Sequence, residues 1–192
     1  MKVNVYYGKD EKMLNNKLVK SFATFEEADE FLKESLKGKE FEKQELFETR
    51  FVYKVEGEEN FYTVIKHIEV VAAIIFDNNK VFATQRGYGE FKDGWEFPGG
   101  KMEPGETGPE ALTRELREEL ELKVEVTDLI KTINYTYPKF QLTMHCYRTK
   151  IAEGKPNLLE HEAACWVDKN GIDSIAWLPA DLEVIEEIKA ML

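Results

Sequence analysis

Cysteine is scarce in this chain: Cys146 and Cys165 are the two among 192 residues, and no paired spacing that would hold zinc accompanies them. A disulfide scaffold is excluded, and two reduced, buried thiols are expected. Long apolar runs are absent too. Val70 to Phe76 is the longest, far below the ~20 residues that a membrane span requires. The opening MKVNVYYGKD has no apolar leader core, so a cytoplasmic protein without signal peptide or membrane contact is expected. Positive charge is in the minority: 26 Lys and Arg against 37 Asp and Glu give a formal net charge of −11. Such a surface repels a phosphate backbone, so stable binding of duplex nucleic acid is not expected. An anionic small molecule would need cations supplied at its own site.

What is present suffices for one full domain with a small appendage: 43% of the residues are hydrophobic and 12% aromatic, enough for a sizeable core. Val3, Val5 and Tyr7 alternate with polar residues and predict a strand ending near Gly8. Thr24 and Glu27 form a capping-box pattern ahead of Ala28, Phe31, Leu32, Ser35 and Leu36 at helical spacing. Leu46 to Val55 and Phe61 to Ile65, separated by EGEEN, read as a hairpin. Residues 1–65 thus form a folded α+β extension, and none of their residues has a chemically suggestive spacing.

From Lys66 onward the pattern changes. Ile68 to Phe76, a DNNK turn and Val81 to Arg86 predict two strands, and the loop GYGEFKDG leads into WEFPGGK. An acidic helix follows, then strands at Val124 to Ile133 and Gln141 to Thr149, and an apolar segment Ala163 to Val167. A short helix is expected around Gly171 to Ile175. After Pro179 a last helix would set Leu182, Ile185, Ile188 and Met191 or Leu192 on one face. Strands and helices do not alternate regularly, so an α+β or α/β domain with a mixed sheet is expected.

The chemistry is concentrated in GKMEPGETGPEALTRELREELEL, Gly100 to Leu122. Thr107 and Glu110 make a capping box, and Pro109 sits in the first turn, where a missing N–H costs nothing. Leu112, Leu116 and Leu120 recur every four residues and face a core. Glu115, Glu118 and Glu119 share the neighbouring face at i, i+3 and i+4. Each like-charge pair at that spacing costs roughly 0.2–0.5 kcal/mol. A hard divalent cation such as Mg²⁺ or Mn²⁺ would reverse the sign, because it prefers oxygen ligands.

This stretch resembles the signature of the Nudix hydrolase family. Gly100 opens it, Glu106 follows after five residues, and Arg114-Glu115-Leu116 comes after seven more, with Glu118, Glu119 and Leu122 closing it. Glu121 stands where the family has glycine. WEFPGGK and WLPAD resemble the MutT-like branch, which holds 8-oxo-dGTP diphosphatases and CTP or pyrimidine nucleoside triphosphate pyrophosphohydrolases. The resemblance spans about residues 66–192, leaves residues 1–65 outside, and implies an α/β/α sandwich around a mixed sheet.

The resemblance also implies roles. Glu115, Glu118 and Glu119, with the carbonyl of Gly99, would bind Mg²⁺ or Mn²⁺. Arg114 and Glu106 would brace loop and helix. A carboxylate before a Trp-bearing strand would join the metal site or orient the attacking water; in LEHEAACW, Glu160 aligns first and Glu162 second. Arg86 and Lys101 are candidates for phosphate contacts, and Phe97 is a base-pocket aromatic or plain core. Asp181 would meet the base while also capping the final helix. An ionised Asp181 would favour a cytosine amine, whereas a protonated one could donate and would reverse that preference. The implied reaction is metal-dependent cleavage to monophosphate and pyrophosphate, with CTP, dCTP or a modified cytosine nucleotide expected ahead of 8-oxo-dGTP. Hydrolysis of ADP-ribose or a nucleotide sugar, or a silent nucleotide sensor, are the alternatives. A homodimer is compatible with this reading.

Overall fold

The computed structural model describes residues 2–11, 13 and 15–192. The chain divides into two compact units, residues 1–68 with 135–142, and residues 69–134 with 143–192.

In the first unit, β1 (Lys2–Gly8) pairs antiparallel with β2 (Lys17–Phe22) and with the first half of β5 (Phe61–Asp77). The β3 (Phe41–Phe47) and β4 (Arg50–Val55) strands form a hairpin that adds to β5 through β4. The α1 helix (Phe25–Ser35) starts with one half of its capping box made, the other half being shifted to the residue before the cap. Glu27 N–H donates to Thr24 Oγ1 at 3.2 Å, and Ala23 N–H donates to Glu27 Oε2 at 3.0 Å. Its Ala28 and Leu32 bury against Val3, Val5, Tyr53 and Val64. One expectation is corrected here, and one strand was not anticipated. Leu46 to Val55 is not one strand, because a tight turn at 48–49 folds it back on itself. The β2 strand, with all but its last residue exposed, carries no alternation that would reveal it.

In the second unit, β5 pairs with β6 (Lys80–Arg86) and β8 (Gly99–Lys101), while β6 pairs with β7 (Trp95–Glu96) and β11 (His161–Asp168), all antiparallel. A parallel bridge joins Trp95 to Trp177, so the pairing is mixed. The long strands β9 (Lys123–Thr136) and β10 (Phe140–Glu153) pair with each other. Against one sheet face lies α2 (Gly108–Leu120), whose Leu112, Leu116 and Leu120 are fully buried with Val71, Ala73, Ile75 and Phe82. The alpha-plus-beta class expected from the sequence is therefore the one observed. The last helix is corrected to two pieces, α3 (Pro179–Leu182) and α4 (Ile185–Met191). Ile185 and Ile188 are buried, whereas Leu182 and Met191 are exposed. Cys146 is buried and Cys165 half-buried, both as free thiols. Among the described residues, no helix is long and apolar enough to cross a membrane.

The end of α2 accounts for the odd residue in the signature. Glu121 is left-handed, φ 55° and ψ 30°. Its N–H reaches Arg117 O and the Leu122 N–H reaches Leu116 O, the doubly bonded exit that glycine ordinarily serves. A side chain in that conformation costs about 1 kcal/mol. Glu121→Gly is therefore expected to raise unfolding stability by about 0.5–1 kcal/mol in urea titrations, after loss of the exposed Asn157 bond to Glu121.

Candidate active site

The site is built where β8 meets α2. Gly99 has φ 153°, and a Cβ there would stand 2.1 Å from Val71 O, so only glycine lets β8 lie against β5. At Gly100 the vacancy is filled by Glu115, whose Cδ and Oε2 would lie 2.3 Å from an added Cβ. The Gly-Gly turn and the first box glutamate are thus one packing unit. The capping residue of α2, Thr107, gives both its N–H (2.8 Å) and its hydroxyl (2.7 Å) to Glu110 Oε2.

Arg114 sits at the centre. Its Nε and Nη2 hold the two oxygens of Glu106 at 2.8 and 2.9 Å, and Nη2 also donates to Lys101 O at 3.0 Å. Its Nη1 reaches Glu115 Oε1 at 2.8 Å and Glu118 Oε2 at 3.4 Å. Glu106 in turn accepts the Glu103 N–H at 2.9 Å. The guanidinium, with that N–H, pulls the Glu106 carboxyl down to about 2, and Glu106 and Glu115 hold Arg114 firmly cationic.

Glu119 is different. Its Oε2 is buried without a hydrogen-bond partner. Burial pushes its carboxyl up to about 7, against the opposing pull of His161, and Glu115, Glu160 and Glu96 add to the rise. A buried carboxylate oxygen left unpaired is costly unless something else satisfies it. The donor set nearby, carboxylates and a backbone carbonyl, is of the all-oxygen kind that suits a hard divalent cation. Among the described residues, no three His, Cys, Asp or Glu side chains are already gathered into metal-ligating geometry.

The other sequence candidates divide. Glu160 is exposed and accepts a 2.7 Å bond from Tyr88 Oη, which raises the Tyr88 hydroxyl above its ordinary range. Glu162 is the extra residue at an irregularity between His161 and Ala163 in β11. Arg86 donates from Nη1 to Glu96 Oε2 at 3.1 Å. The Lys101 side chain is exposed, and it is the Lys101 carbonyl that the Arg114 network uses. Phe97 is buried and stacked on Trp177, centroids 4.5 Å apart. Asp181 caps nothing: the cap of α3 is Leu178, and Asp181 Oδ1 instead accepts the Phe97 N–H at 2.9 Å. Complete burial pushes its carboxyl up to about 8. Sequence reasoning passed over three neighbours, Tyr88, Glu96 and His161. The Trp-Glu-Phe-Pro run was the one available signal for Glu96.

An acidic helix face braced by its own arginine and packed into a Gly-Gly turn lies at the centre of a segment that matches a family of hydrolases. The NUDIX domain model matches residues 66–188, and the chain belongs to the Nudix hydrolase family. It is 34% identical over 128 residues to the CTP pyrophosphohydrolase of Escherichia coli (strain K12), covering 66% of this chain and 95% of that one. It is 30% identical over 129 residues to the 8-oxo-dGTP diphosphatase of the same strain, covering 66% and 100%. Among solved structures, the E. coli ORF135 protein matches with a TM-score of 0.58 at 33% identity, over 66% of this chain and 91% of that one. A MutT protein of methicillin-resistant Staphylococcus aureus 252 matches with 0.55 at 34%, over 66% and 98%.

The clamp makes a pH prediction. A carboxyl held at about 2, against an ordinary 4.5, adds stability that is present above pH 4.5 and is lost as pH falls through about 2. Glu106→Gln is expected to melt lower than the parent at pH 7, and the gap should close between pH 4.5 and 2. Parallel melting curves across that range would show Glu106 to be unengaged.

Proposed function

We propose that this chain is a Mg²⁺- or Mn²⁺-dependent pyrophosphohydrolase of nucleoside triphosphates, yielding the monophosphate and pyrophosphate. The observation that carries the reading is the buried, unpartnered Oε2 of Glu119 beside two further helix carboxylates held by Arg114. Glu115, Glu118 and Glu119, with the Gly99 carbonyl, are the residues that would hold the metal. When bound, the metal neutralises phosphate charge and stabilises the charge that develops in an in-line displacement. On a chain of net charge −11 that neutralisation is what admits a polyanion at all.

This chain's own residues supply the rest. Arg114 and Glu106 keep the helix face and the Gly-Gly turn in register. A carboxylate outside the metal set is suited to take a proton from the attacking water. Glu160, exposed and held by Tyr88, is the candidate for that role, since Glu119 is assigned to the metal. Water attacks the β-phosphorus and the nucleoside monophosphate leaves. Arg86 meets the phosphate chain. The CTP- and 8-oxo-dGTP-cleaving relatives support this substrate class.

For the base, the burial of Asp181 favours the protonated case and with it the oxidised guanine nucleotide over the cytosine one. A carboxyl at about 8 keeps its proton at neutral pH, so it donates from one oxygen while the other accepts the Phe97 N–H. A donor suits the carbonyl of a guanine-type edge better than the amine of cytosine. The proposed substrate is therefore an oxidised guanine nucleotide ahead of dCTP. Residues 1–65 take no part in this reading.

Two experiments test it. Pyrophosphate release should be measured for 8-oxo-dGTP, dCTP, CTP and ADP-ribose, with Mg²⁺ and with chelator. Glu118→Gln and Glu119→Gln are expected to lose on the order of 10²–10⁴-fold in turnover with the melting curve preserved. Near-parental turnover in either variant would sink the metal-face assignment. Asp181→Asn is expected to shift the kcat/KM ratio between 8-oxo-dGTP and dCTP. It also has a stability signature. Because the folded-state carboxyl is raised from 3.8 to about 8, the parent loses stability as pH rises from about 4 to 8, and the asparagine variant is spared that loss. A Tm difference that stays flat across pH 4–8 would show that Asp181 is ionised in the fold.

A further inference from the structure

Arg86 ends β6, and its backbone closes the following loop: Arg86 N–H donates to Gly94 O at 3.0 Å and Asp93 N–H donates to Arg86 O at 2.9 Å. A strand-end arginine is ordinarily a floppy, solvated side chain. Here its side chain is 38% exposed, yet Nη1 is fixed on Glu96 Oε2 at 3.1 Å. The other oxygen of Glu96 faces His161 Nε2 at 3.7 Å. Glu96 is 19% exposed and His161 only 6%. The His161 and Arg86 backbones are cross-strand partners, just before the register irregularity that sets Glu162 apart. Such irregularities re-aim side chains beside sites.

An ion pair to a partly exposed arginine contributes little to stability. Burying a carboxylate and an imidazole to make one, with His161 Nδ1 left unpartnered inside, is therefore a poor structural device. It is a good positioning device. Glu96 occupies Nη1 and leaves Nε and Nη2, the parallel pair of donors that matches two oxygens of a phosphate. Glu96 also stands within electrostatic reach of both Glu119 and Asp181, between the acidic helix and the base-side carboxyl.

We propose that Glu96, anchored by His161 on its second oxygen, is a positioning residue that holds the Arg86 guanidinium oriented for the phosphate chain of the substrate. The assignment rests on the proposed nucleotide reading and on the phosphate role of Arg86. It concerns binding, so its signature lies in KM rather than in turnover.

The test compares Glu96→Gln, Arg86→Ala and the double variant. The readouts are kcat and KM with the best nucleoside triphosphate, calorimetric binding of inorganic pyrophosphate with and without Mg²⁺, and Tm. Glu96→Gln is expected to raise KM and weaken pyrophosphate binding by roughly tenfold, with kcat changed less than about threefold and Tm kept. In the Arg86→Ala background the same change should add less than about twofold, because Glu96 acts through Arg86. Full multiplication of the two effects, or a loss of kcat and Tm at constant KM, would overturn the proposal. If Glu96→Gln fails to fold, Glu96→Asp serves, since it keeps the charge but shortens the reach, and the same KM shift is expected. An Arg86→Ala variant with parental KM and pyrophosphate binding would overturn the phosphate role and this inference together. The proposed activity would survive that result as long as Glu118→Gln remains inactive.

Discussion

One guanidinium holds the site together. Arg114 gathers the carboxylates of Glu106, Glu115 and Glu118 and the carbonyl of Lys101, so the Gly-Gly turn, the following loop and the acidic helix share a single fastening. Without it, the carboxylates of Glu106, Glu115 and Glu118 would repel one another, opposed only by the core contacts of α2. Leu112, Leu116 and Leu120 fix the rotation of α2 through burial. That rotation turns Glu115 toward β8 and buries part of Glu119, while Glu118 stays exposed. Glycine at positions 99 and 100 then allows the strand to approach until Glu115 fills the space a side chain would have taken.

Ion pairing and burial act oppositely on the acidic groups of this chain. Glu106 is ion-paired near the surface and kept strongly acidic, whereas Glu119 and Asp181 are withdrawn from water and made weakly acidic. The same functional group is therefore held strongly acidic at Glu106 and weakly acidic at Glu119 and Asp181. A protein carrying −11 overall gains from this division, because a fully ionised site would add to the field that already opposes a polyanion.

The secondary structure was legible where local chemistry was strong. The Thr24–Glu27 box announced α1, and DNNK announced the turn into β6. The turn at 48–49 is made of Glu and Thr, without the Gly, Asn or Pro that mark turns, so the β3–β4 hairpin was hidden inside an apolar run. Lys66 and His67 interrupt the apolar pattern, yet β5 continues through them as one strand of 17 residues because pairing partners are available on both sides. In the last helix, periodicity alone kept Leu182 and Met191 on the buried face. The break at 183–184 puts α3 and α4 out of phase and exposes both.

The sequence by itself determined the family, the alpha-plus-beta class and the acidic face of α2, because these follow from spacing along one continuous segment. Glu115, Glu118 and Glu119 share a face on any helix, whereas Arg114 meets Glu106, eight residues back, only because the loop before α2 folds over its first turns. Tertiary structure decided everything that depends on partners distant in the chain. It placed Asp181 beside the Phe97 amide, 84 residues away, in a buried position that, against the pull of that N–H, raises the carboxyl of a residue that reads as a helix cap. It set Arg86 and His161 on the two oxygens of Glu96, and Tyr88 on Glu160. Neither spacing nor composition carries such pairings, since solvent exclusion and side-chain register across strands arise only once the sheet has closed.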